Sequence, residues 1–313
     1  MDSPLVSIAL CTYNGAAYLT QQLDSLVAQT YPNIEIVVTD DRSTDDTWHI
    51  LTGYANTYPQ FKIHQNPQNL GFVKNFEHAA GLCGGEFIAL CDQDDIWHPE
   101  KIALQVAGMG NNMLLYHDSE FIHQDGTSMN QKISDRMNFY RGDNPLAFLF
   151  FNCVSGHATM LRRELLKDAL PLQQGYFHDW WLAYVATNVG TIDFIPQALV
   201  KYRQHDKSDT NMLGLQRTKD NYKHSSVFKL EKQYKWLSLC SGFEKNRYPK
   251  LIDAFLDAYK KRMNTFASVD LVRLLYKYMD VVFYVRKKSR KSKLNYIFQQ
   301  IWGTRSKKIV GTK

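Results

Sequence analysis

Leu5-Val6-Ser7-Ile8-Ala9-Leu10-Cys11-Thr12-Tyr13-Asn14-Gly15 is the stretch on which the fold turns. An apolar run broken only by Ser7 passes into a polar turn ending in glycine. Such a run reads as a strand buried on both faces, with the turn at its carboxyl end. Working outward, Tyr18, Leu19, Leu23, Leu26 and Val27 have helical spacing, and the Tyr31-Pro32-Asn33 turn leads into a second strand, Ile34-Glu35-Ile36-Val37-Val38. A capped helix starts near Thr44-Asp45-Asp46, a short third strand is Phe61-Lys62-Ile63-His64, a helix covers Phe72 to Leu82, and a fourth strand is Phe87-Ile88-Ala89-Leu90. Apolar strands alternating with helices predict an α/β domain on a mostly parallel central sheet with helices on both faces.

The pattern then loosens. A helix is expected over Ile96–Gln105, a strand at Met113-Leu114-Leu115-Tyr116, a long loop over 123–144, and apolar segments at 145–151, 157–166 and 180–189. Beyond residue 215 no clear strand is legible and the sequence is aromatic, basic and compatible with helix. The expected division is a catalytic domain over 1–214, in halves 1–111 and 112–214, and a helical C-terminal region over 215–313.

The 313 residues carry 37 Lys+Arg and 31 Asp+Glu, but the charges are segregated: 13 basic and 24 acidic over 1–214, 24 basic and 7 acidic over 215–313. That asymmetry predicts two regions with different tasks. With 44% hydrophobic and 22% charged residues the composition is globular, not disordered. Five cysteines without a CxxC pair argue against a disulfide framework or zinc site and fit a reducing cytosol. No basic region followed by an apolar run opens the chain, so no signal peptide is expected, and no apolar stretch is long enough to span a bilayer.

Three polar clusters follow predicted strands: Cys11-Thr12-Tyr13-Asn14-Gly15, Asp40-Asp41-Arg42-Ser43 and Asp92-Gln93-Asp94-Asp95. In open parallel sheets ligands bind beyond the carboxyl ends of the strands. The third cluster is the sharpest. Three carboxylates within four residues repel one another unless a cation neutralises them, and an all-oxygen set suits Mg²⁺ or Mn²⁺ beside substrate phosphates. Neither GxxxxGK[ST] nor GxGxxG is present, which points away from P-loop NTPases and nicotinamide dehydrogenases.

Taken in order, these stretches, with Gln29-Thr30-Tyr31-Pro32-Asn33, Asn69-Leu70-Gly71, Ile96-Trp97, His178-Asp179-Trp180-Trp181 and Lys201-Tyr202-Arg203-Gln204-His205, resemble a family-2 glycosyltransferase of the GT-A fold. Within that family the motifs look similar to those of bacterial polysaccharide enzymes often described as rhamnosyltransferases. The resemblance implies an inverting transfer from a UDP- or dTDP-sugar, with rhamnose from dTDP-rhamnose as first expectation and a UDP-hexose or UDP-N-acetylhexosamine as second. It implies nucleotide contacts from Thr12, Tyr13, Asn14, Asp41 and Gln93, with Asp40 supporting the same loop and Lys74 reaching a phosphate. Asp92 and Asp94 match the DxD positions, Asp94 on the metal and Asp92 on the ribose or a metal-bound water. His205 matches a histidine that completes the metal or diphosphate shell, although Asp206 to Asn211 is longer than the usual spacing to the next Asn. Asp179 is the expected base, and Ser155-Gly156-His157 is expected beneath the acceptor.

Val269–Val285 is expected as one amphipathic helix, followed by Arg286-Lys287-Lys288-Ser289-Arg290-Lys291-Ser292-Lys293, six of eight basic, and the aromatic segment Leu294 to Trp302. Basic sequence beside aromatic helix suits an anionic membrane surface. The expectation is a cytoplasmic protein at the inner face of the inner membrane, acting on a glycan or lipid-linked glycan, with no nucleic acid partner because no recognition module is present. A non-catalytic sugar-binding module keeps the same fold but has no use for intact Asp92, Asp94 and Asp179. A nucleotidyltransferase usually has a glycine- and basic-rich loop near residues 9–20, where this chain has one Gly and no Lys or Arg.

Overall fold

The computed structural model describes residues 3–205 and 226–303. Among these, 3–143 with 153–205 form one compact unit, and 144–152 with 226–303 form another. The expected boundary near residue 215 and the Asp206–Asn211 stretch lie outside the described residues.

The first unit contains β1 (Val6–Thr12), α1 (Ala16–Val27), β2 (Ile34–Asp40), α2 (Thr47–Thr57), β3 (Phe61–Gln65), α3 (Phe72–Leu82), β4 (Phe87–Cys91), β5 (Ile96–Trp97), α4 (Lys101–Met109), β6 (Leu114–Ile122), β7 (Ser128–Lys132), β8 (Met160–Arg162), α5 (Leu166–Ala169), α6 (His178–Val189) and β9 (Ile192–Arg203). The sheet order is β3-β2-β1-β4-β8-β6-β9-β5, with β7 bonded to β6 off this path. The fold is α/β, as expected, and β1 to β4 are parallel. Beyond β4 the sheet is mixed: β8 is antiparallel to β4 and β6, β5 is antiparallel to β9, and β6 and β9 are parallel.

Every residue of β1 is buried, which is why its sequence lacks polar alternation. Its two hydroxyls are satisfied: Ser7 Oγ donates to Glu35 Oε1 at 2.5 Å and accepts from the Gly85 N–H at 2.8 Å, and Thr12 Oγ1 donates to Asp40 Oδ1 at 3.0 Å. The parallel register sets Thr12 opposite Asp40 and Leu10 opposite Cys91, so the polar clusters after β1, β2 and β4 leave the sheet at one edge.

Three local expectations are corrected. The Ile96–Gln105 helix is instead the short β5, then a break at His98-Pro99, then α4 from Lys101. The 123–144 loop contains β7 and a single 3₁₀ turn, Ile133–Asp135. The twelve-residue β9 was not legible because Pro196 interrupts it. The sheet accommodates that proline by a register skip, with His117 opposite Ile195 and Asp118 opposite Ala198.

The second unit comprises α7 (Ser226–Ser241), α8 (Pro249–Asn264), α9 (Asp270–Lys277), α10 (Met279–Val282) and α11 (Arg290–Gln299), with no strand among its described residues. Pro249 starts α8, where a missing N–H costs nothing. The expected Val269–Val285 helix is broken at Tyr278 (φ −108°, ψ 22°) into α9 and α10. Segment 144–152 belongs to this unit's core: Trp236 Nε1 donates to Phe148 O at 3.2 Å, Gln233 Nε2 donates to Leu149 O at 2.8 Å, and Phe150 meets Phe255 edge-on at 5.9 Å. No helix among the described residues is long and apolar enough to cross a membrane.

Candidate active site

The turn after β1 is locked to its neighbours through its backbone. Asn14 adopts φ 48°, a conformation Asn tolerates, and its Oδ1 accepts from the Thr44 N–H at 2.8 Å while its own N–H donates to Ser43 Oγ at 2.9 Å. Gln93 reaches across from the turn after β4. Its Oε1 accepts from Tyr13 N–H at 2.8 Å and its Nε2 donates to Tyr13 O at 3.0 Å. Gly15 leaves room for this clamp, since a Cβ would lie 2.2 Å from Gln93 Oε1. The Tyr13 ring is left half exposed at the rim.

Asp40 and Asp41 have separate tasks. Asp40 is fully buried, and its carboxylate accepts from Thr12 Oγ1 at 3.0 Å, Ser43 N–H at 3.0 Å and Gln65 Nε2 at 3.0 Å. Asp41 is 2% exposed, and its carboxylate accepts from Asn66 Nδ2 at 2.9 Å, Leu70 N–H at 2.7 Å and Gly71 N–H at 2.8 Å. The Asp41 carboxylate, expected at the base, faces inward here and holds the loop that starts α3. Lys74, expected at a phosphate, places its Nζ 2.6 Å from Glu77 Oε1 on the same helix.

The acidic turn after β4 meets the end of β9. Asp94 Oδ2 lies 2.7 Å from His205 Nε2, and the His205 ring rests on Tyr18 at 4.9 Å. Arg203 fixes this junction. Its Nε donates to Asp94 O at 2.8 Å, its N–H to Asp95 Oδ1 at 3.0 Å, its Nη2 to Gln21 Oε1 at 2.6 Å and its Nη1 to Gln124 O at 2.8 Å. Behind them, His157 Nδ1 is 3.9 Å from both Asp92 Oδ2 and Asp95 Oδ2, and Ser119 Oγ lies 2.9 Å from His157 Nε2. Ligand atoms of Asp92, Asp95 and His157 all lie within 4.8 Å of one another.

Burial grades this cluster. Asp92 and Asp94 side chains are 37% and 17% exposed, whereas Asp95 and His157 are 0% and 3%. Burial, with the charges of Asp94 and Asp92, pushes the Asp95 carboxyl well above the usual range, and burial pushes His157 down to about 3. Fully buried Lys101 places its Nζ 3.0 Å from the Trp97 ring centroid, and burial lowers it to about 7. Asp95 Oδ2 has no hydrogen-bond partner among the described residues. Asp94 and His205 meet at hydrogen-bond distance, and a carboxylate and an imidazole brought together beside Asp92 are groups that ligate divalent cations. The donor set fits a divalent metal.

Asp179 lies in the first turn of α6, one residue past its start. Its Oδ2 accepts from Gly156 N–H at 3.1 Å. Gly156 adjoins His157, so one short turn links Asp179 to the acidic cluster. His178 is buried, stacked on Phe76 at 4.2 Å, and neither ring nitrogen has a hydrogen-bond partner among the described residues. A Cβ on Gly156 would come 2.8 Å from His178 Nε2. Burial drives His178 down to about 4, so it is neutral and apolar in effect near pH 7.

The structure thus brings Thr12, Tyr13, Asn14, Gln93, Asp92, Asp94 and His205 to one edge and leaves Lys74 in a local ion pair. Arg203, Lys101 and the Asp95–His157 contact were not singled out from sequence. Arg203 had a signal, as part of the Tyr-Arg-Gln-His stretch, but its partners are 79 to 182 residues away.

A sheet of this order with an acidic turn at its carboxyl edge defines a GT-A glycosyltransferase fold. The structure resembles that of S. aureus TarS in complex with UDP-GlcNAc, with a TM-score of 0.58 and 20% identity over 95% of this chain and 88% of that one. It also resembles the mannosyltransferase PcManGT from Pyrobaculum calidifontis in complex with GDP-Man and Mn²⁺, with a TM-score of 0.52 and 16% identity over 95% and 84% of the two chains. In sequence, an uncharacterized glycosyltransferase of Haemophilus influenzae is 29% identical over 233 residues, covering 67% of this chain and 69% of the relative. The Glycosyl transferase family 2 model matches residues 7–170, and the chain belongs to that family of glycosyltransferases.

Proposed function

We propose that this glycosyltransferase inverts configuration as it moves a sugar from a nucleoside-diphosphate donor to a glycan or lipid-linked glycan acceptor, with Mn²⁺ or Mg²⁺ held by Asp94 and His205 and approached by Asp92. The observation that carries the reading is the 2.7 Å meeting of Asp94 and His205, which lie 111 residues apart. Asp95 and His157 are the buried backing of that site, because a diphosphate reaches only the exposed side where Asp92 and Asp94 stand. When bound, the cation supplies Lewis-acid stabilisation of the leaving diphosphate.

The chain's own residues do the rest. The Thr12–Gly15 turn, clamped by Gln93 and Ser43, lines the nucleotide side, and the Tyr13 ring offers a face to the base. Asp41 supports this side indirectly by ordering the Asn66–Gly71 loop. Asp179, oriented by the Gly156 N–H, takes the proton of the acceptor hydroxyl as that oxygen attacks the anomeric carbon. In this scheme residues 1–111 hold the donor, and 112–214 present the acceptor.

Nucleotide-sugar complexes of the two structural neighbours support a donor of that class. Rhamnose from dTDP-rhamnose in bacterial surface polysaccharide synthesis is the first assignment, resting on the motif resemblance. The UDP-GlcNAc bound by TarS favours a UDP-N-acetylhexosamine as the second. The reaction is placed at the cytoplasmic face of the inner membrane. Thermal-shift screening of a nucleotide-sugar panel with and without Mn²⁺ tests the reading, since a ligand that binds only the folded state raises stability by mass action. The expected result is a metal-dependent shift with one donor that disappears in Asp94→Ala. A donor shift independent of both metal and Asp94 would overturn the metal assignment.

A further inference from the structure

The second unit exposes several large apolar side chains near α9 and the end of α11. Phe266 and Val269, before α9, are 53% and 47% exposed, and Phe298 and Trp302, at the end of α11, are 55% and 58% exposed. These two segments are neighbours although 32 residues separate Phe266 from Phe298 in sequence. Ala267 bridges to Trp302, Ser268 N–H donates to Ile301 O at 2.9 Å, and Gly303 N–H donates to Phe266 O at 2.9 Å. The backbone ribbon therefore sets the two segments side by side, with Trp302 on the face of Ala267 and Val269 and the neighbouring Phe266 on the opposite face.

Basic residues continue from this apolar spot along both helices. On α11, Lys291 precedes Phe298 by seven residues and so shares its face, about 10 Å away along the axis. On α9, Arg273 and Tyr276, 78% and 57% exposed, continue the face that Val269 begins. Asp270 is paired with Lys261 at 2.6 Å and lies 4.0 Å from Arg273, Lys277 closes α9, and Asp280 on α10 is exposed. Lys287, Lys288 and Arg290 are exposed before α11, while Arg286 is held over the Phe151 and Tyr296 rings. Over residues 226–303 there are 17 Lys+Arg and 6 Asp+Glu.

We propose that this face docks on an anionic lipid bilayer, with Val269, Phe298 and Trp302 entering the interface and the basic rim contacting lipid phosphates. Aromatic side chains favour that zone, and a cationic rim adds electrostatic attraction. The surface gives a location to the lipid-linked acceptor of the proposed reaction and rests on that reading for its purpose, while its evidence lies wholly in the second unit.

The test is flotation of the full chain with vesicles of phosphatidylcholine mixed with phosphatidylglycerol, and with pure phosphatidylcholine. Binding to the anionic vesicles only, weakened by salt, is expected. Phe298→Ser with Trp302→Ser, and separately Lys287→Glu with Lys291→Glu, should each reduce the bound fraction at least tenfold. Trp302→Phe keeps an exposed ring and tests the contact without risk to the core. Brominated lipid should quench wild-type fluorescence, and that quenched component should be absent in the variant. Equal flotation of the aromatic pair variant, or no quenching of Trp302, would overturn the proposal. Sedimentation showing self-association that the aromatic substitutions abolish, without vesicle binding, would assign the face to a second copy instead. Turnover with a water-soluble acceptor separates the two readings: loss of flotation with turnover retained concerns this surface alone.

Discussion

At the scale of single residues, the carboxylates differ in what surrounds them more than in what they are. Asp40 and Asp41 are saturated by hydrogen bonds, Asp95 is sealed beneath Arg203, and only Asp92, Asp94 and Asp179 combine access with a defined orientation. Asp179→Asn should therefore lower kcat by about 10²–10⁴-fold, the usual share of a positioned general base, with the donor KM little changed in initial-rate assays. His178 gives a second expectation. Its folded value of about 4 lies below the ordinary unfolded value of about 6.5. The unfolded chain thus binds the extra proton, and stability present above pH 6.5 is lost as pH falls through about 4. Denaturant titrations of wild type and His178→Leu across that window should differ in slope by up to about 1.4 kcal/mol per pH unit. A parallel pH dependence in the variant would mean that His178 does not carry the proton linkage. That Asp94 and His205 belong to one cluster was legible from sequence because motif order ties them together. The inward turn of Asp41 and the Glu77 partner of Lys74 were not, because no local pattern says which way a side chain on a loop or first helical turn will face.

At the scale of elements, β1 to β4 were legible because strands buried on both faces write unbroken apolar runs. β9 was not, since Pro196 looks like a terminator and is instead absorbed by a register skip. The break of the 269–285 helix at Tyr278 also left no glycine or proline to announce it. The turns after β1 and β4 meet through Gln93, which yields a prediction about their joint action. Gly15→Ala puts a Cβ where Gln93 Oε1 now sits. The Gln93 side chain should swing away and leave Tyr13, raising the donor KM while the melting temperature changes little. A double-mutant cycle should show Gly15→Ala adding nothing to Gln93→Ala, since both remove the same contact. Additive effects on KM would separate the two residues.

At the scale of the whole molecule, the charge division read from sequence corresponds broadly to the two units, but the chain weaves between them in a way that composition does not reveal. Segment 144–152 is apolar, and the sequence placed it with the catalytic domain. The structure packs it against Trp236 and Phe255 of the second unit. Trp236 is 1% exposed, so Trp236→Ala should destabilise that unit by about 3–5 kcal/mol in chemical denaturation. A chain ending at residue 205 should be less soluble than the full chain, because it keeps the 144–152 segment without its cover. Comparable solubility of the two would show that the segment finds other shelter.

The same weave has a consequence in time. During synthesis, about 75 residues separate the emergence of Asn152 from that of the first helix that covers Phe148 and Leu149. At ordinary translation rates of about 5–20 residues per second, that strip waits roughly 4–15 s for its partner. The nascent enzyme therefore carries a sticky segment in mid-chain for seconds, long enough for a chaperone to find it, and slow codons in that interval would lengthen the exposure.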